Sequence, residues 1–184
     1  MVWKQIVSVW NFIRSIFARK KIMVDNFEKS LDFVFRWEGG ISNDSDDPGG
    51  ETKFGISARS HPDIDITQLT KRDAIETYRR DYWPVASGFK WPACLAVLDA
   101  AVNCGNNKAQ AFIDESIRDW DGPGPIPAME LALMICAARD KFYAKLAAKK
   151  PVMRKYIIGW SNRVNALRKI ASEKSIESSD MVIS

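Results

Sequence analysis

The sequence predicts a mainly α-helical protein with one small β element. Several segments repeat apolar residues at spacings of three and four, and glycine or proline marks their ends. Only residues 41–56 are polar, glycine-rich and irregular enough to form a loop or β-hairpin. The chain has 184 residues, of which 46% are hydrophobic, so it can bury a core and is neither disordered nor collagen-like.

The first 22 residues are predicted to form a basic amphipathic helix ahead of the main domain, here called the leader. Its apolar residues share one helical face, and it contains no acid. Three interpretations remain open, namely docking on its own domain, contact with a membrane surface or protein partner, and an export signal. The leader carries a charge of +5 and the whole chain +4, so the rest sums to −1 and nucleic-acid binding is not expected. Its basic residues are Lys4, Arg14, Arg19, Lys20 and Lys21.

The main domain is predicted to open with a helix from Asp25 to Glu38. Asp25 and Glu28 resemble a capping box, and Gly39-Gly40 ends the helix. Apolar residues recur along one stripe of this helix, and Glu38 continues the stripe at its last position. The other helices are expected near 71–83, 92–103, 107–119, 128–149, 152–158 and 160–173, with a frayed tail at 174–184.

Cysteine and histidine usage excludes several chemistries. Cys94, Cys104 and Cys136 are an odd number without a CxxC spacing, which indicates reduced core thiols. His61 is the only histidine, so neither a catalytic triad nor a histidine metal site is expected. No apolar run is long enough to span a bilayer, and no cofactor is predicted.

Glu38 is the strongest catalytic candidate. A carboxyl group at the apolar side of a helix end should be partly desolvated, which would raise its pKa. A carboxylic acid that is still protonated near neutral pH can donate a proton to a leaving oxygen. The alternative is an ordinary solvated glutamate at a helix end.

A second acidic group follows in the segment 44–52. Asp47 or Asp46 would supply the second carboxylate that glycoside hydrolysis requires, and Thr52 would hold a water through its hydroxyl. Gly49 and Gly50 would allow the backbone to approach a flat sugar chain closely. A calcium loop is a weaker interpretation, because glycine occupies the position of the bidentate glutamate.

Four stretches together resemble glycoside hydrolase family 108, the N-acetylmuramidases of phage endolysins and of secretion-associated systems. They are EGGISNDSDDPGGETKFGIS, LTKRDAIETYRRDYWP, and the pair of AVNCG with IIGWSNRV. The resemblance runs from about Asn26 to Leu167 and implies that Glu38 is the catalytic glutamate. It also implies a lysozyme-like α+β fold in which a catalytic part, 23–94, precedes a helical peptidoglycan-binding part, 95–173. Asn103 and Trp160 would contact substrate in that second part.

The sequence therefore predicts a muramidase that hydrolyses the β-1,4 bond between N-acetylmuramic acid and N-acetylglucosamine. Tyr82 and Trp83 would form a sugar platform, with core packing as the equal alternative. The alternatives for the whole chain are a silent wall-binding or virion module, and a lyase that uses Glu38 alone. An enzyme of this kind, as in a phage endolysin, would be made in the cytoplasm and act in the periplasm or cell wall, associated with membrane or virion.

Overall fold

The computed structural model describes residues 2–38 and 52–179. Within these ranges the chain is mainly α-helical with one two-stranded antiparallel sheet, so the predicted mainly α, lysozyme-like fold class is confirmed. The elements are α1 (Val2–Trp37), β1 (Thr52–Lys53), β2 (Ile56–Ser57), α2 (Lys71–Thr77), a π-helical turn (Tyr78–Tyr82), α3 (Trp83–Ala86), α4 (Ala93–Cys104), α5 (Asn106–Asp119), α6 (Ala128–Lys149), a 3-10 helix (Pro151–Tyr156) and α7 (Ile157–Ser179).

The first helix is longer than predicted. It runs without interruption from Val2 to Trp37, so the predicted helix start at Asp25 is wrong. No glycine or proline lies between the leader and Gly39. A capping sequence therefore does not begin a new helix here, because nothing ends the one before it.

The helix predicted over 71–83 also continues further, through Pro84 to Ala86. Its middle widens into a π turn, in which the Trp83 amide donates to the Tyr78 carbonyl five residues earlier. Pro84 then lies in the first turn of α3, where a missing N–H costs little. At the other end, the hydroxyl of Thr70 caps α2 by accepting from the amide of Asp73, as expected.

The core centres on α4, which is buried along most of its length. It packs against α1, α3, α5, α6 and α7. One apolar cluster extends from Phe27 to Ala171, so it draws side chains from both predicted parts of the domain. The predicted boundary between 94 and 95 falls inside α4, and the division into two parts stays a prediction.

The small sheet and the chain end complete the fold. Thr52 pairs with Ser57 and Lys53 with Ile56, and the two residues between them have positive φ, at 53° and 74°. This is a tight hairpin turn that matches the right-handed twist of strands. At the C-terminus α7 continues to Ser179, and the frayed tail at 174–184 stays a prediction. The cysteines Cys94, Cys104 and Cys136 are free thiols, as expected.

Candidate active site

Glu38 lies directly after the last residue of α1. Its amide donates to the Val34 carbonyl at 2.9 Å, which fixes the backbone at the helix end. The side chain is 18% exposed, so the carboxylate is partly desolvated, as expected. It is not alone, because Nη1 of Arg163 lies 2.6 Å from Oε1 of Glu38. The Glu38 carboxylate is therefore paired with a guanidinium at the end of its helix.

Arg163 is itself held by a buried carboxylate on α4. Its Nε and Nη2 donate to Oδ1 of Asp99 at 2.9 Å and 2.7 Å. The other oxygen of Asp99 accepts from Nη1 of Arg139 on α6, at 2.7 Å. Nη2 of Arg139 donates in turn to the Tyr143 hydroxyl at 3.2 Å. The side chains of Asp99 and Arg139 are fully buried, so α1, α4, α6 and α7 meet in one charged cluster.

The electrostatics of this cluster keep Asp99 and Arg163 charged. Burial alone would raise the pKa of Asp99, but the charges of Arg163 and Arg139 outweigh it, and the pKa lies below its ordinary value. Burial opposes the charge on Arg163, while Asp99 and Glu38 favour it, and its pKa is raised. Two arginines therefore face two carboxylates, and the cluster is neutral when Glu38 is ionised.

The β-hairpin and the π turn are joined to each other and lie next to Glu38. The Tyr78 hydroxyl donates to the Phe54 carbonyl at 2.7 Å, which ties the hairpin turn to the π turn. Gly55 is so close that a Cβ there would lie 2.7 Å from the carboxyl carbon of Glu38 and overlap the Tyr78 hydroxyl. Burial, followed by the nearby Glu38 charge, raises the pKa of Tyr78, so its hydroxyl stays protonated.

The predicted second carboxylate lies outside the described residues. Asp46, Asp47, Gly49 and Gly50 all fall in the segment 39–51, and so does the calcium loop considered above. Thr52 is described and occupies the first position of β1, where it is half-buried. Over residues 2–38 and 52–179, no group of three or more histidine, cysteine or acidic side chains could hold a metal ion.

The two residues of the predicted sugar platform lie in different surroundings. Trp83 is in the core, and Tyr82 is partly exposed. Trp83 is only 7% exposed, and its ring packs edge-to-face against Phe27 at 5.2 Å. This position fits the core-packing alternative. Tyr82 is half-buried and lies 5.5 Å from the Tyr78 ring, between Tyr78 and His61. It remains a candidate contact for substrate near Glu38.

The two predicted contacts of the C-terminal part occupy different surroundings. Trp160 is half-buried, and its ring stacks on the Tyr143 ring with 4.6 Å between centroids. Tyr143 in turn accepts a hydrogen bond from Arg139 of the charged cluster. The Asn103 amide donates to the backbone carbonyl of Asp99 at 3.0 Å, one turn earlier in α4. Its role toward substrate stays a prediction.

Sequence reasoning missed Asp99 and Arg139 as members of the site and did not pair Arg163 with Glu38. A usable signal existed, because Asp99 is the one charged residue of the otherwise apolar helix ACLAVLDAAVNC. A charged residue in such a helix requires a buried partner. The identity of that partner depends on how α4, α6 and α7 pack, which no local pattern reveals.

Comparison with known proteins adds to this geometry. Residues 31–105 match the family model described as Glycosyl hydrolase 108. The matched segment includes Glu38, the hairpin, Tyr78 and Asp99. Among solved structures, that of Brucella abortus SagA is similar to this chain with a TM-score of 0.66 and 26% sequence identity, over 79% of this chain and 92% of that chain. No curated protein is similar enough to this chain to count as a match.

Residues 31–105, the segment that holds Glu38, are therefore similar to the glycosyl hydrolase 108 family. The predicted resemblance to glycoside hydrolase family 108 is confirmed by this match, and it supports a muramidase-like function in peptidoglycan hydrolysis. A carbohydrate, peptidoglycan, is accordingly the substrate that the family implies.

Proposed function

We propose that this protein is an N-acetylmuramidase that hydrolyses the β-1,4 bond between N-acetylmuramic acid and N-acetylglucosamine, with Glu38 as the general acid. The observation that supports this most strongly is the Glu38 carboxylate, partly buried at a helix end and 2.6 Å from the guanidinium of Arg163. This carboxylate lies within the segment that matches the glycoside hydrolase family. An isolated surface glutamate would not have a buried cation fixed beside it.

The proposed chemistry begins with Glu38 in its protonated form. Its proton passes to the glycosidic oxygen, the bond from the anomeric carbon to that oxygen breaks, and the electron pair leaves with the oxygen. Glu38 is then a carboxylate next to Arg163. Asp47, or Asp46 in its place, and Thr52 are proposed to orient the water that attacks the anomeric carbon, and the aspartate carboxylate takes up the proton that this water loses.

The test compares the wild type with Glu38→Gln, which removes the proton donor and keeps the shape. Both are incubated with purified peptidoglycan, and the soluble fragments are analysed by mass spectrometry. We expect hydrated muropeptides with N-acetylmuramic acid at the reducing end from the wild type only. Equal release by Glu38→Gln would refute the assignment of Glu38, and anhydromuramic ends would identify a lyase.

We propose that the leader attaches the enzyme to an anionic membrane surface. In the part of the leader for which side chains are described, Phe12, Ile16 and Phe17 are exposed. The side of α1 that faces the domain is instead lined by Ser15, Ala18 and Arg19, across a groove of about 490 Å³ from residues 87–90. By helical periodicity, Ile16 and Phe17 point away from that groove. The apolar face is therefore turned outward, which is unfavourable in water unless something covers it.

An anionic bilayer is the occupant that fits the charge of this helix. The leader carries five basic residues and no acid, and basic residues next to an exposed apolar face are typical of helices that lie in the plane of a membrane surface. No helix in the two described ranges is long and apolar enough to cross a bilayer. The arrangement supports surface attachment.

Vesicle flotation tests the attachment with the full chain. We expect the wild type to float with vesicles that contain phosphatidylglycerol, less with neutral phosphatidylcholine vesicles, and less again at raised salt. A variant with Ile16→Ser and Phe17→Ser should lose flotation, whereas the control Ile22→Ser, on the groove side, should keep it. Flotation that is unchanged in the double variant, or a dimer that the double variant dissociates, would contradict the membrane proposal.

We propose a phage endolysin as the biological role, made in the cytoplasm and acting in the periplasm or cell wall. The muramidase-like family and the leader support this role together. Induced expression in a bacterial host should release cytoplasmic enzymes into the medium, and expression of Glu38→Gln should not. An enzyme that degrades peptidoglycan in solution and yet leaves expressing cells intact would argue against the endolysin role.

A further inference from the structure

The geometry points to Arg163 as a positioning residue for Glu38, locked in place by Asp99 and Arg139, so that the C-terminal helices complete the active site. This inference rests on the proposed function of Glu38. It assigns a task to three buried charged residues that the general-acid scheme does not use. It also makes residues far along the chain part of a single catalytic unit.

Arg163 joins two carboxylates through one rigid group. Its planar guanidinium donates to Asp99 through Nε and Nη2 and to Glu38 through Nη1. Because the guanidinium is planar and rigid, binding two of its nitrogen atoms to Asp99 also fixes the direction of the third. The position of the Glu38 carboxylate is thereby set by α4 and α7, in addition to its own helix.

Asp99 is fixed just as firmly. One of its oxygens accepts from Arg163 and the other from Arg139, and the side chains of Asp99 and Arg139 are fully buried. A buried charged cluster is weak evidence for a purely stabilising role, since well-packed apolar residues would stabilise a core as well or better. Placing a cation beside the exposed end of the cluster, at Glu38, is something that apolar residues could not do.

The cation has a defined effect on the reaction. Protonated Glu38 leaves the cluster with one excess positive charge, and transfer of the proton to the glycosidic oxygen turns Glu38 into a carboxylate that neutralises it. Arg163 therefore interacts more strongly with the transition state, where negative charge develops on Glu38, than with the ground state. The hydroxyls of Tyr78 and Tyr82 also lie near Glu38, and burial keeps both neutral by raising their pKa.

This assignment extends the active site beyond the family match. The matched segment ends at residue 105, whereas Arg139 and Arg163 lie on α6 and α7. The helices predicted as a peptidoglycan-binding part would thus have a second task, because one of them brings the cation to Glu38.

The test measures the rate and its pH dependence for full-length Arg163→Met, Arg163→Lys and Asp99→Asn on solubilised peptidoglycan fragments. Arg163→Met should lower kcat by about 10²-fold, the size of effect seen when one preorganised donor is lost, with little change in KM. The alkaline limb of its pH profile should move to higher pH, because a carboxylate without its cation takes up a proton more readily. Compared with Arg163→Met, Arg163→Lys should have a higher rate and a smaller shift of the alkaline limb, since Lys keeps the positive charge but lacks the planar guanidinium.

The matched control is Arg168→Met on the same helix. Arg168 is partly exposed and pairs with Asp140 instead of the cluster, so this variant should keep the wild-type rate and pH profile. If circular dichroism shows that Arg163→Met does not fold, Arg163→Lys decides the question. A wild-type kcat and an unmoved alkaline limb in the folded variants, with Glu38→Gln inactive, would overturn this inference alone. A fully active Glu38→Gln would instead refute the proposed function.

Discussion

Gly55 and Glu38 are in such close contact that position 55 has no room for a side chain. A Cβ on residue 55 would lie 2.7 Å from both the carboxyl carbon and Cγ of Glu38, and the φ of Gly55 is +74°. The hairpin turn therefore packs directly against the Glu38 side chain. Glycine is needed there both for its backbone conformation and for the space that it leaves.

We expect Gly55→Ala to lower the rate of peptidoglycan hydrolysis strongly, because the new methyl group displaces the Glu38 carboxylate from Arg163. The variant should also lose stability, about 1–2 kcal/mol from the positive φ alone. Initial rates on peptidoglycan and the free energy of unfolding in urea measure the two effects separately.

Two other glycines serve as matched controls for this substitution. Gly124 has a similar φ of +70°, and a Cβ there would meet nothing within 4 Å, so Gly124→Ala should cost stability and keep the rate. Gly88 has open space as well and no positive φ, and Gly88→Ala should change neither. Equal rates for the variants at positions 55 and 124 would contradict the role of close packing.

We expect Asp99→Ala to destabilise the protein by about 3–5 kcal/mol, because it leaves Arg139 and Arg163 buried without their shared carboxylate. Urea unfolding at neutral pH measures this loss. The control is Asp140→Ala, which breaks a partly exposed pair with Arg168 and should cost no more than about 1 kcal/mol. Similar losses of unfolding free energy in the two variants would show that the buried charges contribute no more to stability than the partly exposed pair.

Trp83→Phe tests whether Trp83 belongs to a sugar platform or to the core. Because Trp83 is 7% exposed and packs on Phe27, we expect a loss of about 1–2 kcal/mol in unfolding free energy and no change in KM for peptidoglycan fragments. A raised KM in a variant of unchanged stability would restore the platform interpretation.

The buried thiols predict how stability depends on alkaline pH. Burial raises the pKa of Cys94 and of Cys136 from 9.0 to about 11. Since unfolded thiols ionise first, the stability that these groups contribute is complete below pH 9 and is lost as the pH rises toward 11. We expect the melting temperature of the variant with Cys94→Ala and Cys136→Ala to fall less steeply over this window than that of the wild type. Identical slopes would contradict the assignment.

Local patterns in the sequence predicted much of the secondary structure. The Thr70 cap, the positions of α4, α5 and α6, and the small β element all follow from capping residues, glycine positions and periodicity. The two long helices were predicted in pieces, because the 25–28 capping pattern and the residues near 159 resemble ends when read locally. Packing decides whether such a pattern ends a helix, and local sequence does not contain that information.

The sequence by itself determined the helical fold class, the resemblance to a glycoside hydrolase family and the choice of Glu38 as the candidate general acid. Each of these depends on residues close together in the chain, whose spacing can be recognised directly. Only the tertiary structure decided the surroundings of that acid. Arg163 lies 125 positions after Glu38, and Asp99 and Arg139 reach the same point from two other helices. Their meeting depends on how four helices pack, since a buried charge must find its partner across the core and not along the chain.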